Sequence, residues 1–162
     1  MDAYHKSLEL EKWADSVIIP NLQNKGWVVE RLHEINSNPT YETCGDLRIK
    51  KGDKVCIVEL KAEEVEETGN FFMETWSHKK IGRKGWFRTC KAEYLLYIFK
   101  DTGNFYKMTF DEIRDFVSDN TWRYREVLQQ KHKQENDTWG YCIPINTLRK
   151  QLRLFKKENI ND

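Results

Sequence analysis

The chain has 162 residues, enough for one domain with a hydrophobic core of its own. Hydrophobic residues make up 39% and charged residues 33%, which indicates a folded, soluble protein and excludes a disordered or membrane-embedded one. The formal net charge of +1 hides a separation of charge, because acids gather in residues 59–67 and bases in 78–91 and 149–157. A metal site beside a phosphate-binding surface would have this distribution, although solvated faces of alternating sign would also produce each cluster.

The cysteine pattern and the amino terminus predict a cytoplasmic protein. The four cysteines are scattered and form no Cys-x-x-Cys pair, which argues against a disulfide framework and a structural zinc site. We therefore expect reduced thiols. The first residues lack the apolar core of a signal peptide, and no apolar run approaches membrane-spanning length, so no membrane partner is expected.

The first predicted element is a helix over residues 4–24, ended by Gly26. Its apolar residues recur every three or four positions, as on one buried helix face. This stripe consists of Leu10, Trp13, Ala14, Val17, Ile18 and Leu22. Glu11 lies on the edge of the stripe, where pairing with Lys12 explains it as well as a functional role does.

A β-hairpin follows a strand over residues 27–35 and a loop over 36–39. Its two strands are predicted over residues 45–49 and 55–61. The Gly52-Asp53 pair between them fits the central positions of a type II′ turn, which joins two antiparallel strands.

This turn fixes which residues face each other. Lys51 pairs with Lys54, so that Asp46 lies directly opposite Glu59, and Lys61 shares their face. Two opposed carboxylates repel, and a divalent hard cation such as Mg²⁺ would relieve the repulsion, because it prefers oxygen ligands and needs only one or two protein carboxylates. Lys61 could orient or deprotonate a water, or stabilise charge on a phosphate oxygen. The pattern therefore predicts a site for phosphodiester hydrolysis.

The other face of the hairpin is predicted to be buried and to fix this geometry. Its residues are Leu47, Ile49, Cys56, Val58 and Leu60.

An acidic loop over residues 62–68 leads into a predicted strand over 69–77. Within this strand Phe72, Glu74 and Trp76 share one face. A carboxylate among aromatic rings is costly unless it is paired. Glu74 is therefore expected to reach a metal, a water or an active-site lysine, or else a base of the following loop.

Residues 78–91 contain six lysines or arginines and no acid. Bases neutralise phosphates, glycines allow close approach to a backbone, and aromatic rings can stack on bases, so we predict nucleic-acid contact here. The predicted contact residues are Lys79, Lys80, Arg83, Lys84, Trp86, Arg88 and Lys91. A solvated basic loop anchored to the core by Trp86 and Phe87 is the alternative, and for the two aromatic residues it is the better explanation.

The rest of the chain supplies further core elements. We predict a buried strand over 93–100, a turn over 101–104, a strand over 105–110, a helix over 111–117 capped by Thr109 or Asp111, and a polar loop over 129–137. A last strand over 139–145 is predicted to be an edge strand because of Pro144. Asn146 is predicted to cap a closing helix that runs to residue 157, with Leu148, Leu152 and Phe155 facing inward and a basic outer face.

Covalent hydrolase chemistry has no support in the sequence. The four histidines are far apart, and no serine or cysteine stands in a recognisable nucleophile motif.

At Asp46 and Glu59-Leu60-Lys61 the sequence resembles the PD-(D/E)XK nuclease superfamily, with Gly45 where a proline often precedes the aspartate. The resemblance covers about the first two thirds of the chain by element order. It implies an α/β (α+β) fold with a restriction-endonuclease-like αβββαβ core, a mixed central sheet flanked by helices.

The resemblance also implies a set of site residues. Asp46 and Glu59 would hold the metal, the main-chain carbonyl of Leu60 would be a further ligand, and Lys61 would act on the attacking water. An additional acidic ligand often comes from the preceding helix, which matches Glu11, with Glu9 as the second choice. Glu74 would belong to the catalytic residues, together with Asp46, Glu59 and Lys61.

The sequence therefore predicts a single-domain, Mg²⁺-dependent nuclease, with Mn²⁺ able to substitute, that acts on nucleic acid and foremost as a DNA endonuclease. A catalytically inactive module that binds nucleic acid or protein stays open, as does a purely structural or inhibitory partner protein. A homodimer, formed through an exposed edge strand or residues 94–99, is also left open.

Overall fold

The computed structural model of the chain describes residues 3–32, 45–129 and 137–162, with side chains from residue 5 onward. These residues form, in order, α1 (Ala3–Asn24), β1 (Val28–Arg31), β2 (Leu47–Lys51), β3 (Lys54–Glu63), β4 (Asn70–His78), a 3-10 helix (Lys79–Ile81), β5 (Arg83–Lys84), α2 (Trp86–Thr89), β6 (Tyr94–Phe99), β7 (Asn104–Thr109), α3 (Phe110–Asp119), β8 (Val127–Leu128), β9 (Trp139–Pro144), α4 (Ile145–Gln151) and β10 (Lys156–Asn159).

Two sheets organise these elements. The main sheet has six strands in the order β1-β2-β3-β6-β7-β10 and is mixed, because β3 and β6 run parallel while the other neighbours are antiparallel. The second sheet has the order β5-β4-β9-β8 and is antiparallel throughout. The predicted α+β class with a mixed central sheet is confirmed. The crossover from β3 to β6 runs through β4, β5 and α2.

The predicted hairpin register is confirmed. Lys51 pairs with Lys54, and Leu47 pairs with Val58 as the last pair of the ladder. Asp46 lies one residue before β2, close enough to Glu59 for its charge to raise the pKa of that carboxyl. The main-chain N–H of Asp46 donates to the Val58 carbonyl at 2.9 Å and not to Glu59, so the regular pairing ends at Leu47.

Each face of the main sheet carries its own core. The predicted stripe of α1 packs through Ala14, Ile18 and Leu22 on the apolar face of the hairpin. Burial of Ile18 and Leu22 contributes about 1.5–3 kcal/mol each. This face includes Leu47, Ile49, Cys56, Val58 and Leu60, all buried as predicted. The opposite face packs against the second sheet through residues such as Phe71 and Leu95.

The local predictions for the middle of the chain are confirmed. β4, β6 and β7 match the predicted strands within one or two residues, and α3 follows β7 directly. Thr109 is the cap of α3, because its side-chain oxygen accepts a hydrogen bond from the Glu112 main-chain N–H at 3.3 Å.

The closing helix was predicted wrongly. α4 begins at Ile145 and ends at Gln151, its cap position is Pro144 and not Asn146, and Lys156–Asn159 pair with β7 as strand β10. Leu148 and Leu152 are buried as predicted. Phe155 also packs against the core as predicted, although from the residue before the new strand and not from a helix, with its ring 5.6 Å from that of Tyr106. Pairing with a distant strand thus overrides the helical spacing of the apolar residues.

Three further boundaries differ from the predictions. β9 is not an edge strand, because β8 pairs with its first half through Trp139 and Gly140, but Pro144 lies beyond that pairing, next to Asn70 of β4. β3 continues to Glu63, into the predicted acidic loop, and β1 ends at Arg31, short of the predicted end. The predicted loop over residues 36–39, and all of the predicted loop over 129–137 except its two end residues, lie outside the described residues.

Glu66 ties the loop after β3 to the turn and strand that follow β6. Its carboxylate accepts hydrogen bonds from the Asn104 side-chain amide at 2.8 Å, the Thr102 hydroxyl at 2.5 Å and the Tyr106 hydroxyl. Burial by itself would raise the pKa of Glu66, but these three donors lower it below its ordinary value.

Replacing Glu66 by glutamine is expected to destabilise the protein by about 1–3 kcal/mol at neutral pH, because an amide accepts these hydrogen bonds less well than a carboxylate. A carboxyl whose pKa is lowered on folding stabilises the protein above its unfolded pKa and loses that contribution as pH falls through the folded value. The difference between variant and wild type should therefore shrink below about pH 4 in urea unfolding curves. The exposed neighbour Glu67→Gln is the control, and an equal loss in both variants would contradict the role of Glu66.

Candidate active site

The main chain holds the Asp46 carboxylate in place. Its Oδ2 accepts a hydrogen bond from the Leu60 main-chain N–H at 2.8 Å, across the hairpin. Gly45 precedes it with φ of +97°, and a Cβ at this position would come within 2.8 Å of Ile57 Cγ2 and 3.1 Å of the Val58 carbonyl oxygen. A side chain at position 45 is therefore excluded both by conformation and by space.

Glu59 is a buried carboxylate with two partners. It is only 6% exposed, on the face of β3 that turns away from α1. Lys61 Nζ lies 3.0 Å from its Oε1, and the Cys90 thiol donates to its Oε2 at 3.5 Å. Burial raises the pKa of Glu59 and the Asp46 charge adds to this, while Lys61 opposes it.

Lys61 stands among three acids. Burial would lower its pKa, but the charges of Glu59, Asp46 and Glu74 outweigh burial and raise it. Its Nζ also lies 5.1 Å from the centre of the Trp86 ring, within the range of a cation–π contact. Lys61 therefore lies as a positively charged hydrogen-bond donor among these acids.

Glu74 joins this group from the second sheet. Its side chain is half-buried on the same face of β4 as Phe72 and Trp76, as predicted. Burial raises the pKa of Glu74, while the Lys61 charge and the Trp86 main-chain N–H lower it. A Cβ on Gly85 would lie 2.6 Å from Glu74 Cγ, so the absence of a side chain at Gly85 lets α2 approach β4 this closely.

The helix residues proposed as metal ligands lie elsewhere. Glu11 and Glu9 are exposed on α1, and the buried stripe of α1 packs on the sheet face opposite to that of Glu59. Leu60 is buried towards α1 and contacts Asp46 through its main-chain N–H. Among the residues that the structure describes, no three acidic, histidine or cysteine side chains gather into a group that could hold a metal ion.

The basic segment of residues 78–91 lies next to this group and presents its charges to solvent. Its exposed bases are Lys79, Lys80, Arg83, Lys84, Arg88 and Lys91. Lys79 lies 4.3 Å above the Trp139 ring and 3.6 Å from Glu126, and Arg88 lies 4.7 Å from the centre of the Trp76 ring.

The two aromatic residues of the segment anchor it. Phe87 is buried, and Trp86 is partly exposed with its ring edge-on to Phe87 and to Phe110. The anchoring role favoured by the sequence is therefore observed for both. Trp86 has the additional contact with Lys61, which sequence reasoning missed.

Cys90 and Gly85 were also missed as parts of the site. No local signal marks Cys90, because its contact with Glu59 spans 31 positions of the chain. Gly85 stands before the Trp-Phe pair, and that glycine could have indicated a close approach of two backbones.

Comparisons of the chain with protein-family models, with curated proteins and with solved structures gave no match. None of the helices in the described parts of the chain combines the length and the apolar character needed to cross a bilayer.

Replacing Lys61 by methionine is expected to cost about 3 kcal/mol of stability at neutral pH, because Glu59 is left buried without its counter-charge. A carboxyl with a raised pKa costs stability as pH rises through its folded pKa, and losing Lys61 raises that pKa further. The loss should therefore be smaller near pH 5 than near pH 7 in chemical denaturation.

Lys61→Arg keeps the charge and is the matched control. Adding Glu59→Gln to Lys61→Met should restore most of the lost stability, since the unpaired charge is then absent. A loss that is independent of pH and persists in the double variant would show that the ion pair is not its cause.

Proposed function

We propose that the chain is a metal-dependent nuclease of the PD-(D/E)XK type, which hydrolyses phosphodiester bonds and acts on DNA. The observation that carries this proposal is the grouping of Asp46, Glu59 and Lys61 at the end of the hairpin, in which the charge of Asp46 acts on the buried Glu59 carboxyl and an ammonium lies 3.0 Å from Glu59. Opposed carboxylates are unfavourable without a cation between or beside them.

The donor set suits a hard divalent cation. Asp46 and Glu59 offer carboxylate oxygens on one face of the hairpin. The resemblance to the PD-(D/E)XK superfamily implies that the main-chain carbonyl of Leu60 is a further ligand. Mg²⁺ accepts such a set because it retains several waters, and Mn²⁺ accepts the same ligands. A bound cation would polarise the phosphate and offset its negative charge.

Two side chains of the protein, those of Lys61 and Glu74, are proposed to carry out the remaining steps. Lys61, held protonated by three acids, donates hydrogen bonds to the attacking water and to the phosphate oxygens that gain charge. Glu74, whose pKa burial raises, takes a proton from that water better than an ordinary carboxylate would. The water oxygen bonds to phosphorus, its proton passes to Glu74, and the ester oxygen leaves with the bonding pair and is protonated by solvent.

The exposed bases of residues 78–91 support DNA as the substrate. Trp86 belongs to the same segment and its ring contacts Lys61, so phosphates bound by this segment would lie near the carboxylates. We propose that this segment contacts the sugar-phosphate backbone of the DNA and does not read the bases.

A second candidate, a nuclease-like module that binds without cleaving, is favoured by one observation. Both oxygens of Glu59 and one of Asp46 already have partners within the protein, namely Lys61, Cys90 and Leu60. A site that satisfies its own charges needs no metal for stability.

Cleavage decides between the two candidates. With Mg²⁺ or Mn²⁺, labelled single-stranded, double-stranded or branched DNA should be cut, and EDTA should prevent cutting. Glu59→Gln and Lys61→Arg should each lower the rate by about 100-fold or more, because each removes a group with a placed role in charge stabilisation.

Glu64→Gln, an exposed acid just after β3, is the control and should cut normally. Normal cutting by Glu59→Gln would reject this site. Metal-independent binding without cutting in any metal would favour the binding module.

Removing two bases of β5 should weaken DNA binding. In EDTA, Arg83→Gln with Lys84→Gln should lower the salt dependence of the association constant by about two units, one for each lost phosphate contact. The control is Lys6→Gln with Lys12→Gln on α1, which removes the same charge from exposed positions. Equal losses in both pairs, measured by fluorescence anisotropy, would show a response to net charge alone.

A further inference from the structure

The main-sheet face that carries α1 also bears two pairs of directly opposed lysines. Lys51 faces Lys54 across β2 and β3, and Lys156 faces Lys107 across β10 and β7. Side chains alternate along a strand, so Lys54 shares the face of Cys56 and Lys107 that of Phe105, both of which belong to the core beneath α1. Both pairs therefore lie on this one face, which we call the lysine surface.

One lysine of each pair contacts the same aromatic ring. Lys107 Nζ lies 4.6 Å and Lys54 Nζ 5.8 Å from the centre of the Tyr94 ring, on β6. Lys51 and Lys54 also lie 5.7 and 5.9 Å from the centre of the Trp27 ring. Three of the four ammonium groups, those of Lys51, Lys54 and Lys107, thus lie against two rings, and cation–π attraction helps to hold them in place.

The lysine surface lacks balancing acids. None of its four lysines forms an ion pair within 4.0 Å with a carboxylate in the described parts of the chain. Glu158, on the same face of β10, is engaged with Lys25 at 2.6 Å. Burial lowers the pKa of Lys107, and the charges of Lys54 and Lys156 lower it further, while Glu158 opposes them only in part and the pKa stays below its ordinary value.

Like charges directly opposed on a sheet cost stability. A lysine on an edge strand also prevents strand addition, which accounts for Lys156 on β10. It does not account for Lys107 on β7 or for Lys54 on β3, because both strands are internal. An anionic ligand would turn the repulsion into binding energy.

We propose that the lysine surface binds the sugar-phosphate backbone of nucleic acid. The strands of the inner lysines, Lys54 on β3 and Lys107 on β7, lie on either side of β6 and are two strand spacings, or about 10 Å, apart. Lys51 and Lys156 lie one strand further out on each side, so the four lysines spread over more than one phosphate group spans. Successive phosphates of a backbone fit this spread better than a single phosphate. Because ammonium groups already cover the rings, bases have no platform to stack on, and the binding is independent of sequence.

The surface is separate from the candidate active site. Asp46, Glu59 and Lys61 point away from the face that carries α1, so nucleic acid on the lysine surface is a second segment, not the one at the carboxylates. The inference rests on the proposed function for the class of its ligand. It is tested by binding in EDTA, whereas the proposed function is tested by cleavage, so either can fail without the other.

The test compares two triple variants of the full chain. Lys54→Gln, Lys107→Gln and Lys156→Gln together remove the proposed contacts, and Lys6→Gln, Lys12→Gln and Lys100→Gln remove the same charge from exposed lysines elsewhere. The probe is fluorescein-labelled DNA, single-stranded and duplex, titrated in EDTA at several salt concentrations. The first variant should bind at least about tenfold more weakly and show a salt slope lower by about 2–3 units, while the control should change less than about twofold.

Thermal melting and a single substitution extend the test. Because the substitutions remove repulsion, the first variant should melt no lower than the wild type without DNA, and DNA should raise the melting temperature of the wild type more. Should the triple variant fail to fold, Lys156→Gln alone, exposed on the edge strand, should still weaken binding severalfold. Equal losses in the two triple variants, no DNA binding by the wild type, or binding of inorganic pyrophosphate without DNA binding would each overturn the proposal.

Discussion

The register of the β2–β3 hairpin is the constraint on which the rest of the structure depends. The turn pairs Lys51 with Lys54, and every later pairing of the two strands follows from it. Because side chains alternate, a slip by one residue would turn Leu47 and Val58 towards the second sheet and Asp46 and Glu59 towards α1. One two-residue turn therefore sets both the core beneath α1 and the carboxylates on the opposite face.

The second requirement is a counter-charge for Glu59. A carboxylate that is 6% exposed is tolerated only with partners, and Lys61 and the Cys90 thiol supply them. Lys61 also links the two sheets, because the charge of Glu74 on β4 raises its pKa and its ammonium group contacts the Trp86 ring of α2. The short α2 helix can reach this position because Gly85 adds no side chain beside Glu74. The candidate site is thus held by long-range contacts around one ammonium group.

Local features were predictable from the sequence, and pairings between distant segments were not. The stripe of α1, the Gly52-Asp53 turn and the Thr109 cap each act within a few residues, so spacing and residue type suffice to place them. Lys156–Asn159 are polar and follow helix-like spacing, and only the pairing with β7 makes them a strand. The periodicity around Glu11 locates the buried stripe but not the sheet face on which it packs. Asp46, Glu59 and Lys61 could be predicted because the hairpin brings them together locally. Cys90 was missed because it lies outside the hairpin, 31 positions from Glu59.

β3 pairs with β2 along one edge and with β6 along the other, and we expect these two pairings to form at different stages of folding. The pairing with β2 closes a turn of two residues, while the parallel pairing with β6 joins segments separated by about 36 positions, so the hairpin edge can form first during folding. At that stage Glu59 and Lys61 are still in water. The cost of burying their charges therefore falls on the later docking of β6 and the second sheet, which makes this docking the step of folding most sensitive to ionic conditions.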